Sequence, residues 1–507
     1  MLSLTEFFID EHGCAKNQVD GEIIISRLTV LGFRQTFDAS KAQIIIVNSC
    51  GFINPAKKES IDALLRAKKK YPDAKVLLAG CLAERYADVL KDSFPEADGI
   101  FGNGDLSKID SVVRSLLAGK RPVVTAEQRG ISCGKRTMLL SYRNSVYVKI
   151  TEGCSNRCTF CAIPIIRGSV RSRSADDIVD EIKTLLLLGV YEINLIGQDL
   201  AAYGTGDGDD VFGTGRFPLP CIGEDGVNEG TEKLSALARL LKKISAVKGR
   251  FIVRLLYIHP DHFNRDIFPV MQKDPRIVPY FDIPFQSGDD EIIKAMNRKC
   301  TAKEYVRLVR DIRSSFPEAA IRTTFLTGFP GETEEAFRST QRFLSDIQSD
   351  WSGCFTYSRE EDTASYAMKG RVPQKTALER KRALEALQSE ITEDRLKLRC
   401  GKEYDVLIEE VVAGEEGLAI GRAWFQAPDV DGSFVVRYDR DDEAERSAVQ
   451  CGNVVRVFAD GVSGVDIDSR LVSNLIINKK RSRASGGTAV SPPLLYASDF
   501  YDTGEGR

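Results

Sequence analysis

Three apolar runs near the start of the chain share one pattern. Each run has the character of a β-strand, ends in a cysteine and is followed by a segment of helical periodicity. The runs are EFFIDEHGC ending at Cys14, AQIIIVNSC ending at Cys50 and AKVLLAGC ending at Cys81. Strands alternating with helices indicate a doubly wound parallel α/β sheet, whose ligands lie beyond the carboxyl ends of its strands. Residues 1–115 are therefore predicted to form one domain in which three strand-end cysteines can converge.

The alternation of strands and helices restarts near residue 142 and runs to about 375. Six candidate strands begin with the run at 147–150 and end with GCFTYS at 353–358. Amphipathic segments separate them, such as SADDIVDEIKTLLLLG with Ser174 as its helix cap. Six such units predict a (β/α)6 partial TIM-type barrel at 140–375, with its chemistry at the C-terminal strand ends. A stretch rich in Gly and Asp at 204–231 predicts a mobile surface insertion.

The pattern changes again after a charged helical segment at 375–400. Short strand-like runs separated by Gly and Asp turns predict a small antiparallel β-barrel at about 395–468. The tail at 471–507 contains NKKRSRASGGTAVSPP and is predicted to be disordered. The fold class is therefore α/β, with a small β-module at the C-terminal end.

Composition narrows the class of protein. A chain of 507 residues with 43% hydrophobic and 28% charged residues is too long for one hydrophobic core and is globular in character. A formal charge of −3 gives no overall nucleic-acid signature. The first residues are acidic and no apolar run is long enough for a membrane helix, which predicts a cytoplasmic protein. In that compartment twelve cysteines indicate metal or redox chemistry rather than disulfides.

The most informative stretch is TEGCSNRCTFCAIPIIRG, which places Cys154, Cys158 and Cys161 just after the first barrel strand. Buried structural cysteines are disfavoured, because polar residues interrupt the run. A structural zinc site needs four ligands, and no second CxxC or HxxxH motif accompanies these three. A [4Fe-4S] cluster held by three thiolates keeps one iron open, as a catalytic site does for its substrate.

The CxxxCxxC spacing, with the aromatic Phe160 before the last cysteine, resembles the radical S-adenosylmethionine superfamily. The resemblance implies that Cys154, Cys158 and Cys161 are catalytic and hold a [4Fe-4S] cluster whose open iron binds S-adenosylmethionine. It implies reductive cleavage of that cofactor to a radical that abstracts a hydrogen atom. Other strand ends offer candidate contacts to the cofactor, namely Gly197, Gln198, Gly328 and Gly331, with Asp199 as a weaker one. The alternative is that these glycines serve only ordinary turns between a strand and the following helix.

Cys14, Cys50 and Cys81 share the same placement at strand ends. One such cysteine is by default a core residue, but three in the same position favour a second cluster. A domain of this kind, a CxxxCxxC barrel and a C-terminal β-module together resemble the radical S-adenosylmethionine methylthiotransferases, over about residues 5–465. The resemblance implies two [4Fe-4S] clusters, with the strand-end cysteines holding the one that delivers sulfur. The β-module is similar to a TRAM domain and is expected to bind substrate.

Two branches of that family differ in substrate. GCAKNQVDGE, NSCGFINPAKKESIDALL and FTYSREEDT resemble the branch that methylthiolates the β-carbon of an aspartate in small-subunit ribosomal protein S12. The implied partners are that protein, free or on the ribosome, and an electron donor such as a flavodoxin or a ferredoxin. The other branch modifies transfer-RNA adenosine. Departures from the pattern are Ala15, where Pro is usual, and Ser287 with Gly288, which replace a His-containing turn.

The charge of the β-module bears on the same choice. Residues 401–470 contain 16 acidic and 7 basic side chains, a net charge of −9. A surface that binds RNA is basic, because phosphate contacts dominate its affinity, so this module favours a basic protein and makes direct RNA binding secondary. Acidity that merely improves solubility is the alternative. The basic KKRSR at 479–483 is read as part of a solvated tail.

The remaining candidate ligands are assigned no role. The three histidines are His12, His259 and His262, of which His12 could tune the nearby cluster but is better read as a strand-end hydrogen bond. Six further cysteines lack ligand spacing, namely Cys133, Cys221, Cys300, Cys354, Cys400 and Cys451. Two alternatives to aspartate methylthiolation stay open: transfer-RNA methylthiolation and a non-catalytic iron–sulfur redox protein.

Overall fold

The computed structural model of the chain describes residues 5–126, 131, 133–134, 136–205, 234–414, 417–472 and 495–496. Almost all of the predicted insertion at 204–231 and of the predicted tail at 471–507 therefore lies outside the described residues, as do Cys221 and KKRSR. None of the described helices is long and apolar enough to span a membrane.

The first domain is a parallel sheet flanked by helices. All its strand pairs are parallel, in the order β2-β1-β3-β4-β5-β6, which confirms the predicted doubly wound sheet. β3 and nearly all of β4 are buried, because helices cover both faces of the sheet. The elements are β1 (Glu6–Glu11), α1 (Ala15–Val30), β2 (Arg34–Gln35), β3 (Ile44–Ser49), α2 (Asn54–Lys70), β4 (Lys75–Gly80), α3 (Cys81–Ser93), β5 (Gly99–Phe101), α4 (Ile109–Leu117) and β6 (Val123–Val124).

The second domain is a six-stranded parallel half-barrel whose strands follow chain order, β15-β14-β13-β12-β11-β8. This confirms the predicted (β/α)6 partial barrel. Ser174 caps α6 by accepting a hydrogen bond from the backbone of Asp177, as the sequence predicts. The elements are β7 (Met138–Leu139), β8 (Ser145–Lys149), β9 (Thr151–Glu152), α5 (Ile163–Arg167), β10 (Arg171–Ser172), α6 (Ala175–Leu187), β11 (Glu192–Ile196), α7 (Ala236–Ser245), β12 (Ile252–Leu255), α8 (Phe268–Lys273), β13 (Ile277–Asp282), α9 (Asp290–Ala295), α10 (Ala302–Ser315), β14 (Ala320–Thr327), α11 (Glu334–Ile347), β15 (Trp351–Thr356) and α12 (Gln374–Lys397).

The third domain is a closed five-stranded barrel in the order β16-β17-β18-β20-β19. The barrel is confirmed, but it is not wholly antiparallel as predicted, because β18 and β20 pair in parallel to close it. Its elements are β16 (Glu403–Val411), β17 (Leu418–Arg422), β18 (Phe434–Arg437), α13 (Glu443–Ala448), β19 (Val454–Ser463) and β20 (Asp466–Leu471). A further short strand, β21 (Leu495–Tyr496), pairs with β7.

Buried ion pairs join the three domains. On the first domain, Asp20 accepts hydrogen bonds from Lys149 at 2.6 Å and from Arg167 at 2.9 Å, and both of these cations belong to the half-barrel. At the start of β11, Glu192 pairs with Arg422 of the third domain at 2.8 Å. The first domain thus docks where β8 ends, whereas the C-terminal barrel docks where β11 begins.

Candidate active site

The strand-end cysteines, Cys14, Cys50 and Cys81, come together at one edge of the first sheet. They follow β1, β3 and β4, which are neighbours in that sheet, at the side where parallel sheets bind ligands. Gly13 has φ +106°, and a Cβ built on it would lie 3.1 Å from the Cβ of Cys50. The turn before Cys14 therefore needs glycine, and it brings the Cys14 loop against Cys50.

Polar side chains hold these loops and contact the Cys81 thiol. Asn17 donates from Nδ2 to the carbonyl of His12 at 2.6 Å and to that of Asn48 at 3.1 Å, which ties two of the strand ends together. The sulfur of Cys81 accepts from Arg167 Nη2 at 3.2 Å and from Asn103 Nδ2 at 3.3 Å. Donors of this kind stabilise a thiolate, the form that binds metal.

The pKa values of these thiols differ with their surroundings. Burial raises the pKa of Cys50 to about 11 and that of Cys81 to about 12, the latter in spite of the Arg167 charge. Burial also acts on Cys14, but the Lys16 and Arg167 charges outweigh it and lower the pKa of this exposed cysteine. The positive charges at this edge of the first sheet thus favour the thiolate form of its cysteines.

The loop cysteines, Cys154, Cys158 and Cys161, lie between β9 and α5. The Cys154 N–H donates to the carbonyl of Gly168 at 3.0 Å, and the Cys161 N–H to that of Cys158 at 3.0 Å. Gly153 has φ +72°, and a Cβ there would lie 2.1 Å from the carbonyl oxygen of Ser169. The loop is therefore closed by its own backbone, and only glycine fits at its entrance.

His259 and His262, to which the sequence assigned no role, lie against this loop. The backbone N–H of Asp261 donates to His259 Nδ1 at 3.3 Å, which leaves the ring proton on Nε2, 3.8 Å from the sulfur of Cys158. Burial, followed by the nearby Arg298 charge, lowers the pKa of His259, so the ring is neutral and donates to that sulfur. The signal in the sequence was their position directly after β12, in YIHPDH.

Asn156 and Asp199 fix the middle of the loop. Asn156 donates to Asp199 at 2.9 Å, and its Oδ1 lies 2.7 Å from Nε2 of His262. Asp199 also accepts from the backbone of His259 at 3.1 Å. Asp199 therefore orients the cysteine loop, whereas the sequence offered it as a possible contact to the cofactor.

A single metal ion and a cluster require different spacing of their cysteine ligands. Among the described residues, no three His, Cys, Asp or Glu side chains meet as closely as one metal ion requires. A [4Fe-4S] cluster gives each thiolate its own iron and takes wider spacing. Burial raises the pKa of Cys161 to about 12 and also raises that of Cys158, so these thiols ionise when metal binds. Each set supplies three soft sulfur ligands, which is the donor chemistry of an iron–sulfur cluster.

The candidate contacts to S-adenosylmethionine divide into two kinds. Gln198 donates to Glu152 at 3.3 Å, while its buried Oε1 has no partner among the described residues and suits a polar ligand. A Cβ on Gly197 would lie 1.9 Å from the hydroxyl oxygen of Thr151, so packing already explains this glycine. Gly328 and Gly331 have φ of +77° and +89°, which suffices to explain both. Their contact with the cofactor stays a prediction.

Helix α5 connects the two cysteine sets. Its residue Ile166, together with Ala162 next to Cys161, packs against Cys81 and Phe52 in one small apolar cluster. Arg167, the last residue of α5, contacts the Cys81 sulfur from the other domain. Sequence reasoning missed Arg167, because only the docking of the two domains gives it a role.

The other candidate ligands lie elsewhere. The ring of His12 contacts Asp10 and Glu59, each at 3.3 Å, and its backbone N–H donates to the Asn48 carbonyl, the strand-end bond that the sequence favoured. Cys300 and Cys354 are buried, whereas Cys133 and Cys451 are exposed and Cys400 is half-buried.

Comparison with known proteins agrees with this geometry. A model of the radical SAM superfamily matches residues 148–344, which include the loop cysteines. A model described as an uncharacterised protein family, UPF0004, matches residues 6–102, and a TRAM domain model matches 400–472. Together with the parallel half-barrel, these matches define a radical S-adenosylmethionine enzyme.

Curated relatives narrow the class. A protein of Treponema denticola is 50% identical over 91% of this chain and 99% of its own length. Relatives from Heliobacterium modesticaldum and Thermotoga maritima are 38% and 36% identical, over 83% and 84% of this chain and 86% and 92% of their own lengths. All three are named ribosomal protein uS12 methylthiotransferase RimO. The chain belongs to the RimO family of methylthiotransferases.

Proposed function

We propose that this chain attaches a methylthio group to the β-carbon of one aspartate of ribosomal protein uS12, using S-adenosylmethionine. The observation that carries the proposal is the pair of cysteine sets, each beyond the carboxyl ends of a parallel sheet, joined through α5 and Arg167. The names of relatives at 36–50% identity support the same reaction. The work divides among the predicted domains at 1–115, 140–375 and 395–468.

The two cysteine sets would each hold one [4Fe-4S] cluster. Cys154, Cys158 and Cys161 hold the first, and Cys14, Cys50 and Cys81 hold the second. When bound, these groups supply the electron that cleaves S-adenosylmethionine and the sulfur that is transferred. Gly197, Gln198, Gly328 and Gly331 stay the proposed contacts to S-adenosylmethionine, with Gln198 best supported by its unpartnered buried oxygen in the described structure.

The chain's own residues position and shield these groups. Arg167 and Asn103 donate to the Cys81 sulfur, and the neutral ring of His259 donates to the Cys158 sulfur. Ala162 and Ile166 form a small apolar cluster with Cys81 and Phe52, beside the buried ion pairs of Arg167. This excludes water from the neighbourhood of a reactive radical, as the chemistry requires.

The C-terminal barrel supports a basic protein as substrate. Asp439, Asp441, Asp442 and Glu443 are exposed and form an acidic ridge at the start of α13, interrupted by the exposed Arg440. Such a ridge attracts a basic protein and repels RNA phosphates, so direct RNA binding is secondary in this proposal. The electron donor we propose is a small reducing protein such as a flavodoxin or a ferredoxin.

The test is one anaerobic reaction with two candidate substrates. Reconstituted enzyme is given S-adenosylmethionine, sulfide and a strong reductant, together with uS12 and a transfer-RNA pool. Mass spectrometry should find a methylthio gain on one aspartate of uS12 and none on adenosine. A Cys451→Ala variant is the matched control, because this exposed cysteine belongs to neither set, and it should retain the activity.

Other outcomes would reject the proposal in different ways. A methylthio gain on adenosine would support the proposed roles of the cysteines but would show that the substrate is transfer RNA. Cleavage of S-adenosylmethionine with neither macromolecule modified would leave a radical enzyme of another specificity. Failure to cleave S-adenosylmethionine at all would favour a non-catalytic iron–sulfur protein.

A further inference from the structure

Lys16 occupies an unusual position between the two cysteine sets. It lies in the first turn of α1, two residues after Cys14, and only 7% of it is exposed. Its Nζ is 3.1 Å from the ring centroid of Tyr257, which belongs to the half-barrel. Two residues after Tyr257 comes His259, whose ring contacts Cys158. Lys16 therefore lies where the domains meet, with one cysteine set on either side.

Three other buried cations of this junction are already paired with carboxylates. Each of them holds a carboxylate at 3.1 Å or less: Lys149, Arg167 and Arg322. Lys16 differs, because among the described residues no hydrogen bond or ion pair joins its ammonium group to a carboxylate. The aromatic face of Tyr257 favours a cation but does not neutralise it.

The Cys14 thiolate, Asp282 and Glu152 act on this ammonium group through space, but among the described residues no hydrogen bond joins any of them to its Nζ. A buried ammonium group without such a partner is unfavourable, so a further anion is expected beside it when the enzyme works. The Cys81 sulfur already has its donors, Arg167 and Asn103. The substrate brings a suitable anion, since an aspartate carries its carboxylate one bond away from the β-carbon that reacts. That carbon must lie between the source of the radical and the source of the sulfur, as Lys16 does.

We propose that Lys16 binds the carboxylate of the substrate aspartate and so places its β-carbon between the two cysteine sets. The contact is a charge-assisted hydrogen bond, and it makes Lys16 the residue that selects aspartate over an uncharged side chain. This inference rests on the proposed function and adds to it the group that recognises the target residue.

The test is a double-mutant cycle between enzyme and substrate. Calorimetry measures binding of uS12, and of uS12 with the target aspartate changed to asparagine, to reconstituted enzyme without reductant. The unaltered enzyme should bind the aspartate form about ten- to a hundredfold more tightly. Lys16→Met should bind both forms equally, at the affinity of the asparagine form. Lys16→Arg should keep the preference, and the exposed Lys41→Met, in the same domain, should keep it in full.

Each other outcome overturns the inference. An unchanged preference in Lys16→Met would show that another group binds the carboxylate. Loss of iron from both Lys16 variants would show that Lys16 serves the strand-end cysteines instead. An unaltered enzyme that neither binds nor modifies uS12 would reject the proposed function together with the inference. Methylthiolation that persists with the preference in Lys16→Met would reject the inference alone.

Discussion

Each of the two cysteine sets presents three thiols, but the chain assembles them in opposite ways. The strand-end cysteines come from three separate loops, and only the order β1-β3-β4 in the sheet brings them together. The loop cysteines lie within eight consecutive residues, and local backbone bonds close their loop. The first set therefore depends on the fold of a whole domain, whereas the second depends mainly on one loop.

Their surroundings differ as well. The positive charges of Lys16 and Arg167 act on the strand-end cysteines strongly enough to lower the pKa of Cys14 despite its burial penalty. Around the loop cysteines burial prevails and raises the pKa of Cys158 in spite of the Arg298 charge. Burial prevails at Cys50 and Cys81 as well, so the lowered pKa belongs to Cys14. The electrostatic difference between the sets therefore lies at Cys14, the strand-end thiol nearest to Lys16 in the chain.

The largest effect should come from removing one ligand of each set. Cys158→Ala should abolish cleavage of S-adenosylmethionine, because the loop set can no longer hold its cluster. Cys50→Ala should abolish methylthio transfer but leave cleavage in place. Chromatography of the released nucleoside and mass spectrometry of uS12 separate the two activities. Loss of the same activity in both variants would contradict the assignment of different tasks to the two cysteine sets.

Removing the arginine between the sets should have the next largest effect. Arg167→Met leaves Asp20 and Glu152 short of a buried partner, and breaking such a pair is expected to destabilise the protein by about 3–5 kcal/mol. Scanning calorimetry should show a clear fall in Tm. Arg338→Met is the matched control, since its pair with Glu334 is more than half exposed and should change stability by about 0–1 kcal/mol. Equal shifts in both variants would contradict this role for Arg167.

Labelling with iodoacetamide should rank the thiols of the cluster-free protein. The thiolate is the reactive form, so at pH 8 the exposed Cys14 should react about a hundredfold faster than Cys50, whose pKa is raised to about 11. Labelling of Cys50 should keep accelerating as the pH rises toward that value. Peptide mass spectrometry over time and pH gives the rates. Equal rates for the two cysteines would show that their surroundings are alike.

The smallest effect should follow from His259→Phe. The change removes an N–H donor to the Cys158 sulfur and keeps an aromatic ring, so cleavage of S-adenosylmethionine should slow by roughly tenfold. His12→Phe is its counterpart near the strand-end cysteines and should not alter cleavage, because the His12 ring contacts Asp10 and Glu59. A shift in the reduction potential of the bound cluster in His259→Phe alone would support the assignment.

Much of the fold follows from local pattern. Apolar runs alternating with helices predicted both parallel sheets. A cysteine directly after such a run necessarily lies at the carboxyl end of its strand. β2 (Arg34–Gln35) was missed because two polar residues carry no strand signal. The parallel pairing of β18 with β20 was missed because alternation along a strand does not reveal which neighbour it joins.

The site was less predictable than the fold. Spacing identified the loop cysteines and placement at strand ends identified the others, while their role as cluster ligands stays a prediction. Arg167 and His259 could not be assigned from sequence, because each gains its role from contact with a distant part of the chain. Gly328 was proposed for close approach of a ligand, yet its positive φ and the nearby Ala377 of α12 already require glycine.

The ion pairs of Asp20 across the domain boundary restrict how this protein can evolve. Its carboxylate belongs to the first domain, while its partners Lys149 and Arg167 belong to the second. A first domain transplanted from a protein with another residue at this position would leave Lys149 and Arg167 with Glu152 alone as their shared buried partner. The two domains are thus inherited as a matched pair, and these three positions should change together or not at all among descendants.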